Sequence, residues 1–183
     1  VLIKHPGTGL RVLDHVIAAF EGKKVTVVVG YRSIKIMELY PQLDYVINQN
    51  WALSNNALSL GLALRDEPTY ILSGDMFVDK LLIDELDKSD ENIILTDKRE
   101  NRTLSAVHCV LGKDELIIET YQGAIRDVDH PEAIGLFKIS DKDILRKWKY
   151  ISIKHGNLFV AQTLPCDIKP IKSILLKNHT FIE

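Results

Sequence analysis

The sequence lacks three features that would place it in a specialised class of protein. It has only two cysteines, Cys109 and Cys166, among 183 residues, which is too few for a disulfide framework and without the spacing of a zinc site. It has no apolar run near the ~20 residues that a membrane helix needs. It also has no basic surplus, since 23 Lys and Arg residues face 25 Asp and Glu residues. These absences argue against a disulfide-rich secreted protein, a membrane span and an electrostatic binder of nucleic acid.

The start of the chain lacks the pattern of a secretion signal, which is a basic segment, an apolar stretch and a small-residue cleavage site. We therefore expect both thiols to be reduced and the protein to be cytoplasmic. The first residue is Val1 rather than methionine, and we expect residues to precede it. The composition leaves the oligomeric state open.

What the sequence contains is typical of a globular domain. It is 46% hydrophobic and 26% charged, close to the average for such proteins. A length of 183 residues suits one domain, since domains run to roughly 100–200 residues. We therefore expect a single domain over residues 1–183, with enough chain to bury a substantial core.

Residues 10 to 95 alternate between helical and extended patterns. Helical spacing of apolar residues predicts helices over residues 10–20, 32–40, 54–64 and 80–86. Apolar runs rich in β-branched residues predict strands over residues 24–29, 44–47, 69–73 and 92–95. Helices and strands that alternate with short links predict a mostly parallel sheet with helices on both faces.

From residue 103 the pattern changes to paired strands. Strands are predicted over residues 105–111 and 115–119, joined by a hairpin turn at residues 112–114. A further strand is predicted over residues 133–140, followed by a helix that begins at Ser140 as its cap. We therefore expect a mixed, β-rich second half that starts after residue 102.

An acidic side chain follows the strand predicted over residues 69–73, in the sequence Gly74-Asp75. In open α/β sheets, ligands bind at the carboxyl ends of the strands. A carboxylate at that edge suits Mg²⁺, which prefers one or two carboxylates together with phosphate oxygens and water. The alternative interpretation is that Asp75 only caps the next turn, where aspartate is common. The pattern alone favours neither interpretation.

A loop rich in side-chain amides follows the strand predicted over residues 44–47. It opens with Asn48 and Gln49, and Asn55 and Asn56 stand at the start of the next helix. An amide carries donors and acceptors on one flat group, which suits the edge of a nucleobase. A helix N-terminus offers free backbone N–H groups to an anion. Asparagine also favours turns and caps, so this loop alone does not establish a binding site.

The segment over residues 4–9 is too poor in motifs to be a phosphate-binding loop by itself. It contains Gly7, Gly9 and one lysine, Lys4, and the chain has no Gly-Lys-Ser/Thr motif and no complete dinucleotide fingerprint. Residues 1–3 fit the end of a buried first strand, so we expect this segment to be the remnant of the turn before the first helix.

Three of these segments, in this order and spacing, resemble the nucleotidyltransferase family of sugar-phosphate and phosphocholine nucleotidylyltransferases. Residues 25–31 are similar to the second strand and its Gly-Tyr exit, and residues 71–75 to the strand that bears a metal-binding aspartate. Residues 45–48, 54–56 and 59–60 are similar to the segment that meets the base in the phosphocholine cytidylyltransferase-like branch. The resemblance implies a three-layer, Rossmann-like nucleotidyltransferase fold with a mostly parallel central sheet and a mixed, β-rich acceptor half.

The resemblance also implies an activity. A nucleoside monophosphate, CMP from CTP, would pass to a phosphorylated small acceptor such as a sugar phosphate or phosphocholine, with release of pyrophosphate. The partners would be a nucleoside triphosphate and this acceptor, and neither nucleic acid nor a membrane. Asp75 would hold Mg²⁺ as the cofactor, and Asp75 and Lys4 would act in catalysis. The nucleotide would be held by Asn48, Asn55, Asn56, Ser59 and Gly74.

The two halves would then divide the substrates between them. Residues 1–102 would bind the nucleotide and residues 103–183 the acceptor, with Tyr121, Glu132 and Trp148 as candidate acceptor contacts. An aromatic and acidic pocket would favour a quaternary ammonium such as choline.

Two parts of the family pattern do not occur in this sequence. They are the Gly-rich loop with its Pro-Lys pair and a second metal-binding aspartate after a late strand. The alternative function is therefore a non-catalytic nucleotide- or metabolite-binding module that has kept the fold. A dinucleotide-binding enzyme is disfavoured, because no acidic ribose-binding residue follows a Gly-rich turn at the required distance.

Overall fold

The computed structural model describes residues 2–98 and 102–176. The first part alternates helices and strands as the sequence predicts. The helices are α1 (Val12–Ala19), α2 (Ser33–Leu39), α3 (Asn56–Ala63) and α4 (Lys80–Leu86). The strands are β1 (Thr26–Val29), β2 (Asp44–Ile47), β3 (Thr69–Leu72) and β4 (Ile93–Asp97).

The second part is richer in strands. It contains β5 (Val107–Leu111), β6 (Ile117–Gln122), β7 (Glu132–Ile139), α5 (Lys142–Lys154) and β8 (Lys172–Leu175). Two 3₁₀ helices, Lys113–Glu115 and Val160–Thr163, complete it. β5 and β6 pair antiparallel as predicted, but the 3₁₀ helix Lys113–Glu115 joins them instead of a tight hairpin turn.

The strands form a two-stranded sheet and a six-stranded sheet. β1 pairs in parallel with β2, and β4 pairs in parallel with β8. β7 runs antiparallel to both β3 and β4, so β3 and β4 point in the same direction. β7 also meets β5, where His108 pairs with Glu132. The fold is therefore α/β, as expected, with one parallel pair in the first part, a second parallel pair that joins the two parts, and a mixed larger sheet.

Side chains that alternate along the strands fill a core on each face of the larger sheet. On β7, Phe137 belongs to the cluster that α3 and α5 cover, whereas the adjacent Leu136 packs with residues of α1 and α4. Successive side chains of a strand point to opposite faces, so the sheet is buried between two helical layers. This confirms the predicted three-layer arrangement. None of the helices in the described ranges is long and apolar enough to cross a membrane.

Trp148 of α5 lies at the centre of the first cluster. It is fully buried, its ring lies 5.1 Å from that of Phe137, and its indole N–H donates to Thr163 Oγ1 at 2.9 Å. Trp148 is therefore a core residue, and its candidate role as an acceptor contact is wrong.

Helices α3 and α5 are each capped by a polar side chain. Asn55 caps α3, since its side chain accepts from Asn56 N at 2.8 Å. α5 is capped by Asp141 and not by Ser140, because the Asp141 carboxylate accepts from the N–H groups of Asp143 and Ile144. Because the charged Asp141 carboxylate accepts from two backbone N–H groups at the start of α5, it is a stronger cap than a serine hydroxyl.

The expected first strand is wrong for residues 2–3, which the structure describes. They open a hairpin that runs from Ile3 to Val12. His5 N donates to Leu10 O at 2.7 Å, Val12 N donates to Ile3 O at 3.0 Å, and the backbones of Lys4 and Arg11 form an antiparallel bridge. The segment therefore pairs with itself before α1 instead of joining the sheet.

Candidate functional site

An open cleft of about 350 Å³ lies between the two parts of the chain. Its described lining comes from the start of α3, the loop after β3, the segment before β5, strand β7 and the 3₁₀ helix Val160–Thr163. The polar side chains of this lining are Asn56, Ser73, Asp75, Thr103, Ser105 and Glu132. The structure thus brings together two residues that the sequence assigns to the site, Asp75 and Asn56.

Asp75 lies on an exposed turn directly after β3, next to Gly74, which is also exposed. The turn is fixed at its base: Ser73 N donates to Gly135 O at 2.9 Å, and Met76 N donates to Ser73 O at 3.3 Å. The carboxylate therefore stands at the carboxyl end of a strand, at the edge where α/β sheets bind ligands.

The approach of β7 to this turn depends on a glycine. Gly135 has a φ angle of +90°, and a Cβ built on it would lie 2.4 Å from Ser73 Oγ. Any other residue would therefore combine an unfavourable backbone conformation with a steric clash. Gly135 lets the floor of the cleft come directly under the turn that carries Asp75.

The amide loop after β2 uses its first asparagine internally. The Asn48 side chain is 2% exposed. Its Nδ2 donates to Ser54 Oγ at 3.2 Å and to Ser59 Oγ at 3.1 Å, and its Oδ1 accepts from Asn50 N at 2.9 Å. Both amide protons are therefore used, and neither Asn48 nor Ser59 lines the cleft. The structure places them in the framework that holds the loop against α3.

The paired asparagines at the start of α3 have different surroundings. The Asn55 side chain caps the helix, and its backbone N–H donates to Gly156 O at 2.8 Å. Asn56 is exposed and lines the cleft, and its Oδ1 accepts from Val160 N at 2.9 Å. Asn56 thus joins the first part of the chain to the 3₁₀ helix of the opposite wall.

Lys4 is not brought to the cleft. Its side chain is exposed, its backbone belongs to the N-terminal hairpin, and it is not part of the described lining. Among the described residues of the lining, the charged side chains are Asp75 and Glu132, and both are acidic. A triphosphate beside the Asp75 carboxylate is repelled by it unless a cation lies between the two.

Of the candidate acceptor contacts in the second part, one lies at the cleft and one lies outside its described lining. Glu132 lines the cleft, as predicted. Tyr121 is 6% exposed and lies outside the lining. Its hydroxyl accepts from Arg126 N and lies 3.0 Å from His130 Nδ1, and the Arg126 guanidinium stacks 4.0 Å from its ring. Tyr121 therefore supports the loop over residues 123–130.

His108 is a buried polar residue close to this wall. Its Nδ1 lies 3.2 Å from Arg102 Nη1 and its Nε2 lies 3.0 Å from Gly123 O. Because the guanidinium can only donate, Nε2 carries the proton of the neutral ring. Burial lowers the pKa of His108, with a further contribution from the charge of Arg102. The ring therefore serves as an uncharged link in the wall.

No sequence motif marks Thr103 and Ser105 as site residues, although both line the cleft just before β5. Their hydroxyl groups lie 2.7 Å apart. Ser105 begins the strand predicted over residues 105–111, but both residues lie in the irregular segment before β5, where the folded chain brings them to the same cleft as Asp75.

A metal ion at this site would have one protein carboxylate. Within residues 2–98 and 102–176, no group of three or more His, Cys, Asp or Glu side chains could hold a metal. Asp75 nevertheless fits Mg²⁺, because that ion keeps several waters and commonly binds one or two carboxylates together with substrate phosphates. An exposed carboxylate in an open cleft leaves room for such ligands.

Comparison with known proteins identifies solved structures of similar fold. No protein-family model and no curated protein sequence matches the chain. The CTP:phosphocholine cytidylyltransferase from Streptococcus pneumoniae has a TM-score of 0.75 and 15% identity, over 98% of this chain and 81% of that chain. The inositol-1-phosphate CTP transferase from T. maritima has a TM-score of 0.70 and 13% identity, over 97% and 77% of the two chains.

A third solved structure of similar fold is named for nucleoside-diphosphate sugars. The nucleoside-diphosphate-sugar pyrophosphorylase from Vibrio cholerae has a TM-score of 0.68 and 11% identity, and the match covers 99% of this chain and 85% of that chain. At such low identity the likeness establishes the fold. The resemblance seen in the sequence motifs is thus confirmed at that level, and the chain has the fold of the nucleotidyltransferases that act on sugar phosphates and phosphocholine.

Proposed function

We propose that the chain is a nucleotidyltransferase that transfers CMP from CTP to the phosphate of a small acceptor. The observation that supports this proposal most is the exposed carboxylate of Asp75 at the carboxyl end of β3, in one cleft with Asn56. The fold supports it as well, because two of the neighbouring structures are named for transfer from CTP.

In the proposed reaction, an acceptor phosphate oxygen attacks the α-phosphorus of the triphosphate. The bond from this phosphorus to the bridging oxygen breaks, and pyrophosphate leaves with that oxygen. The protein mainly has to align two anions and reduce their repulsion. Mg²⁺ held by Asp75 would supply the positive charge between them.

The residues of the first part have two kinds of role in this proposal. Asp75 would hold the metal ion and Asn56 would contact the nucleotide at the cleft. Gly74, which is exposed beside Asp75, lies outside the described lining. Asn48 and Ser59 act indirectly, because they hold the amide loop and leave Asn55 in place as the helix cap. Lys4 has no role here, since it does not line the cleft.

The second part, from residue 103, would bind the acceptor. Its described lining combines the carboxylate of Glu132 with the aromatic ring of Phe159. An acidic group and an aromatic face favour a cationic acceptor, and phosphocholine carries both a quaternary ammonium and the attacking phosphate. We therefore propose phosphocholine ahead of a sugar phosphate.

The two free cysteines suit the reducing cytoplasm, where we place the enzyme.

Pyrophosphate release tests this function. Purified protein with Mg²⁺ is given each of the four nucleoside triphosphates together with phosphocholine or glucose 1-phosphate. We expect release with CTP and phosphocholine, and almost none from the Asp75→Asn variant. The matched control is Asp84→Asn, which removes an exposed carboxylate of α4 that pairs with Lys80. Release that survives Asp75→Asn would remove that residue from the reaction.

The alternative is a non-catalytic nucleotide-binding module. The observation in its favour is the cleft itself, which has acidic but no basic side chains among the described residues of its lining. This alternative predicts nucleotide binding by calorimetry without pyrophosphate release for every pair of substrates.

A further inference from the structure

The loop that carries Asp75 is held, away from the cleft, by an aromatic cluster that the proposed reaction does not use. Phe77 lies two residues after Asp75. Its ring centroid is 5.1 Å from the ring of His5 and 5.1 Å from that of His15, and both contacts are edge-on. The two imidazoles lie 5.7 Å apart. Edge-on aromatic pairs contribute about 0.5–1.5 kcal/mol each beyond their buried area.

The side chains on either side of Phe77 anchor the loop in the core. Met76 and Val78 are 8% and 7% exposed and pack in the cluster beneath α1 and α4. Asp79 then caps α4 by accepting from Leu81 N at 2.9 Å. Within residues 76–79, Phe77 is therefore the side chain that links the loop to the N-terminal hairpin and the outer part of α1.

Hydrogen bonds within the N-terminal hairpin orient the His5 imidazole and connect the hairpin to the His15 imidazole on α1. His5 Nδ1 accepts from the backbone N–H groups of Gly7 and Thr8, at 3.1 Å and 3.2 Å. Thr8 Oγ1 lies 3.1 Å from His15 Nε2 on α1. The short glycine segment over residues 7–9 thus folds around one imidazole and contacts the other. This gives a structural role to a segment that is too poor in motifs to be a phosphate loop.

We propose that Phe77, held between His5 and His15, is a positioning residue that fixes the Asp75 carboxylate relative to the bound nucleotide. This inference rests on the proposed function, because Asp75 is the residue whose position matters. A displacement of a reacting or ligating group by about 1 Å costs about 10²-fold in rate. The aromatic cluster is therefore a device that keeps a carboxylate on an exposed turn in one place.

The test compares Phe77→Leu with a matched aromatic variant, Phe20→Leu. Phe20 is 7% exposed, belongs to the core cluster that contains Met76 and Val78, and makes its own edge-on contact, with Tyr70 at 5.2 Å. It does not belong to the cluster around Phe77. We expect Phe77→Leu to lower kcat about tenfold with less than a twofold change in KM for CTP. Phe20→Leu should lose at least as much stability and keep its kcat. Phe77→Tyr, which retains the ring, should restore kcat to within about twofold.

A second readout does not need turnover. Mn²⁺ binding to the protein with CTP is measured by electron paramagnetic resonance, and we expect the Kd to rise about fivefold in Phe77→Leu and in His15→Ala but not in Phe20→Leu. If kcat and Mn²⁺ affinity follow stability alone across these variants, the positioning role is wrong. If no variant and no wild-type sample releases pyrophosphate but the Mn²⁺ shifts appear, the proposed function is wrong and the positioning of Asp75 stands.

Discussion

Two polar loops follow β2 and β3, which are successive strands along the chain but belong to different sheets, and the fold uses them in opposite ways. The loop after β3 turns Asp75 outward into the cleft and fixes its backbone with buried neighbours. The loop after β2 turns its first polar side chain, Asn48, inward and leaves it 2% exposed. Both sequences end a strand with polar residues. Only the hydrogen-bond partners distinguish a residue that is available to a ligand from one that builds the framework.

The difference shows that position at the carboxyl end of a strand is not enough to assign a ligand contact. A buried amide must satisfy its donors and acceptor inside the protein, and Asn48 does so with Ser54, Ser59 and Asn50. Asp75 is exposed, so substitution of Asp75 should act on chemistry, whereas substitution of Asn48 should act on stability.

The largest effect is expected for the outward side chain. Asp75→Asn should lower the rate of transfer about 10³-fold, which corresponds to about 4 kcal/mol, because the amide cannot neutralise or hold the divalent ion. The urea midpoint should stay close to that of the wild type, since the side chain is exposed. Steady-state kinetics and urea unfolding of the same sample check both parts. A loss of folding that matches the loss of rate would contradict the assignment.

The inward side chain should give the opposite result. Asn48→Ala should lower the free energy of unfolding by about 2 kcal/mol, because it removes the three hydrogen bonds that the buried Asn48 side chain makes. Gln49→Ala, at the exposed neighbouring position, is the control and should change stability by less than about 0.5 kcal/mol. Urea unfolding measures both variants. Equal stability of the two would mean that the internal network contributes nothing.

Asn55 and Asn56 allow the same comparison between a framework residue and a cleft residue at the start of a single helix, α3. Asn56→Ala should raise the Kd for CTP about tenfold, as expected for a lost contact at the cleft. Asn55→Ala should instead lower stability by about 1 kcal/mol through loss of the cap, with little change in affinity. Isothermal titration calorimetry and thermal unfolding separate the two effects. Unchanged affinity of Asn56→Ala would exclude this residue from the nucleotide site.

The smallest expected effect is a pH dependence of stability from His108, whose buried ring, like the Asn48 side chain, is hydrogen-bonded inside the protein. Burial lowers the pKa of His108 in the folded chain, so below the unfolded value of about 6.5 the unfolded chain binds more protons. Stability should therefore be retained above this pH and fall as the pH drops below it, by at most about 1 kcal/mol at pH 6. Urea unfolding at pH 7.5 and pH 6 checks this. His108→Gln should remove that part of the pH dependence; an identical slope would place its origin elsewhere.

The sequence predicts the first part of the chain well because each of its elements has a local signal. Helical spacing and β-branched runs identify α4 and β2 at their observed bounds, and Gly74-Asp75 marks the turn at the cleft. These patterns are local, so they can be recognised in the sequence without knowledge of the rest of the fold.

The sequence does not predict features that depend on distant partners. The inward orientation of Asn48 depends on Ser59, which lies eleven residues away, and the burial of Trp148 depends on packing against Phe137. Residues 2–3 look like a strand by composition, but they pair with the chain before α1. In each case the partner, and not the local pattern, decides the structure.

Strand β7 belongs to both sides of the cleft. It pairs with β3 and β4 and touches β5 through His108 and Glu132, and its Gly135 lies beneath Ser73. A hinge between the two halves would have to break this ladder. Under the proposed function, the two halves should therefore not close over the ligands by a hinge motion, because β7 is paired on both sides of the cleft.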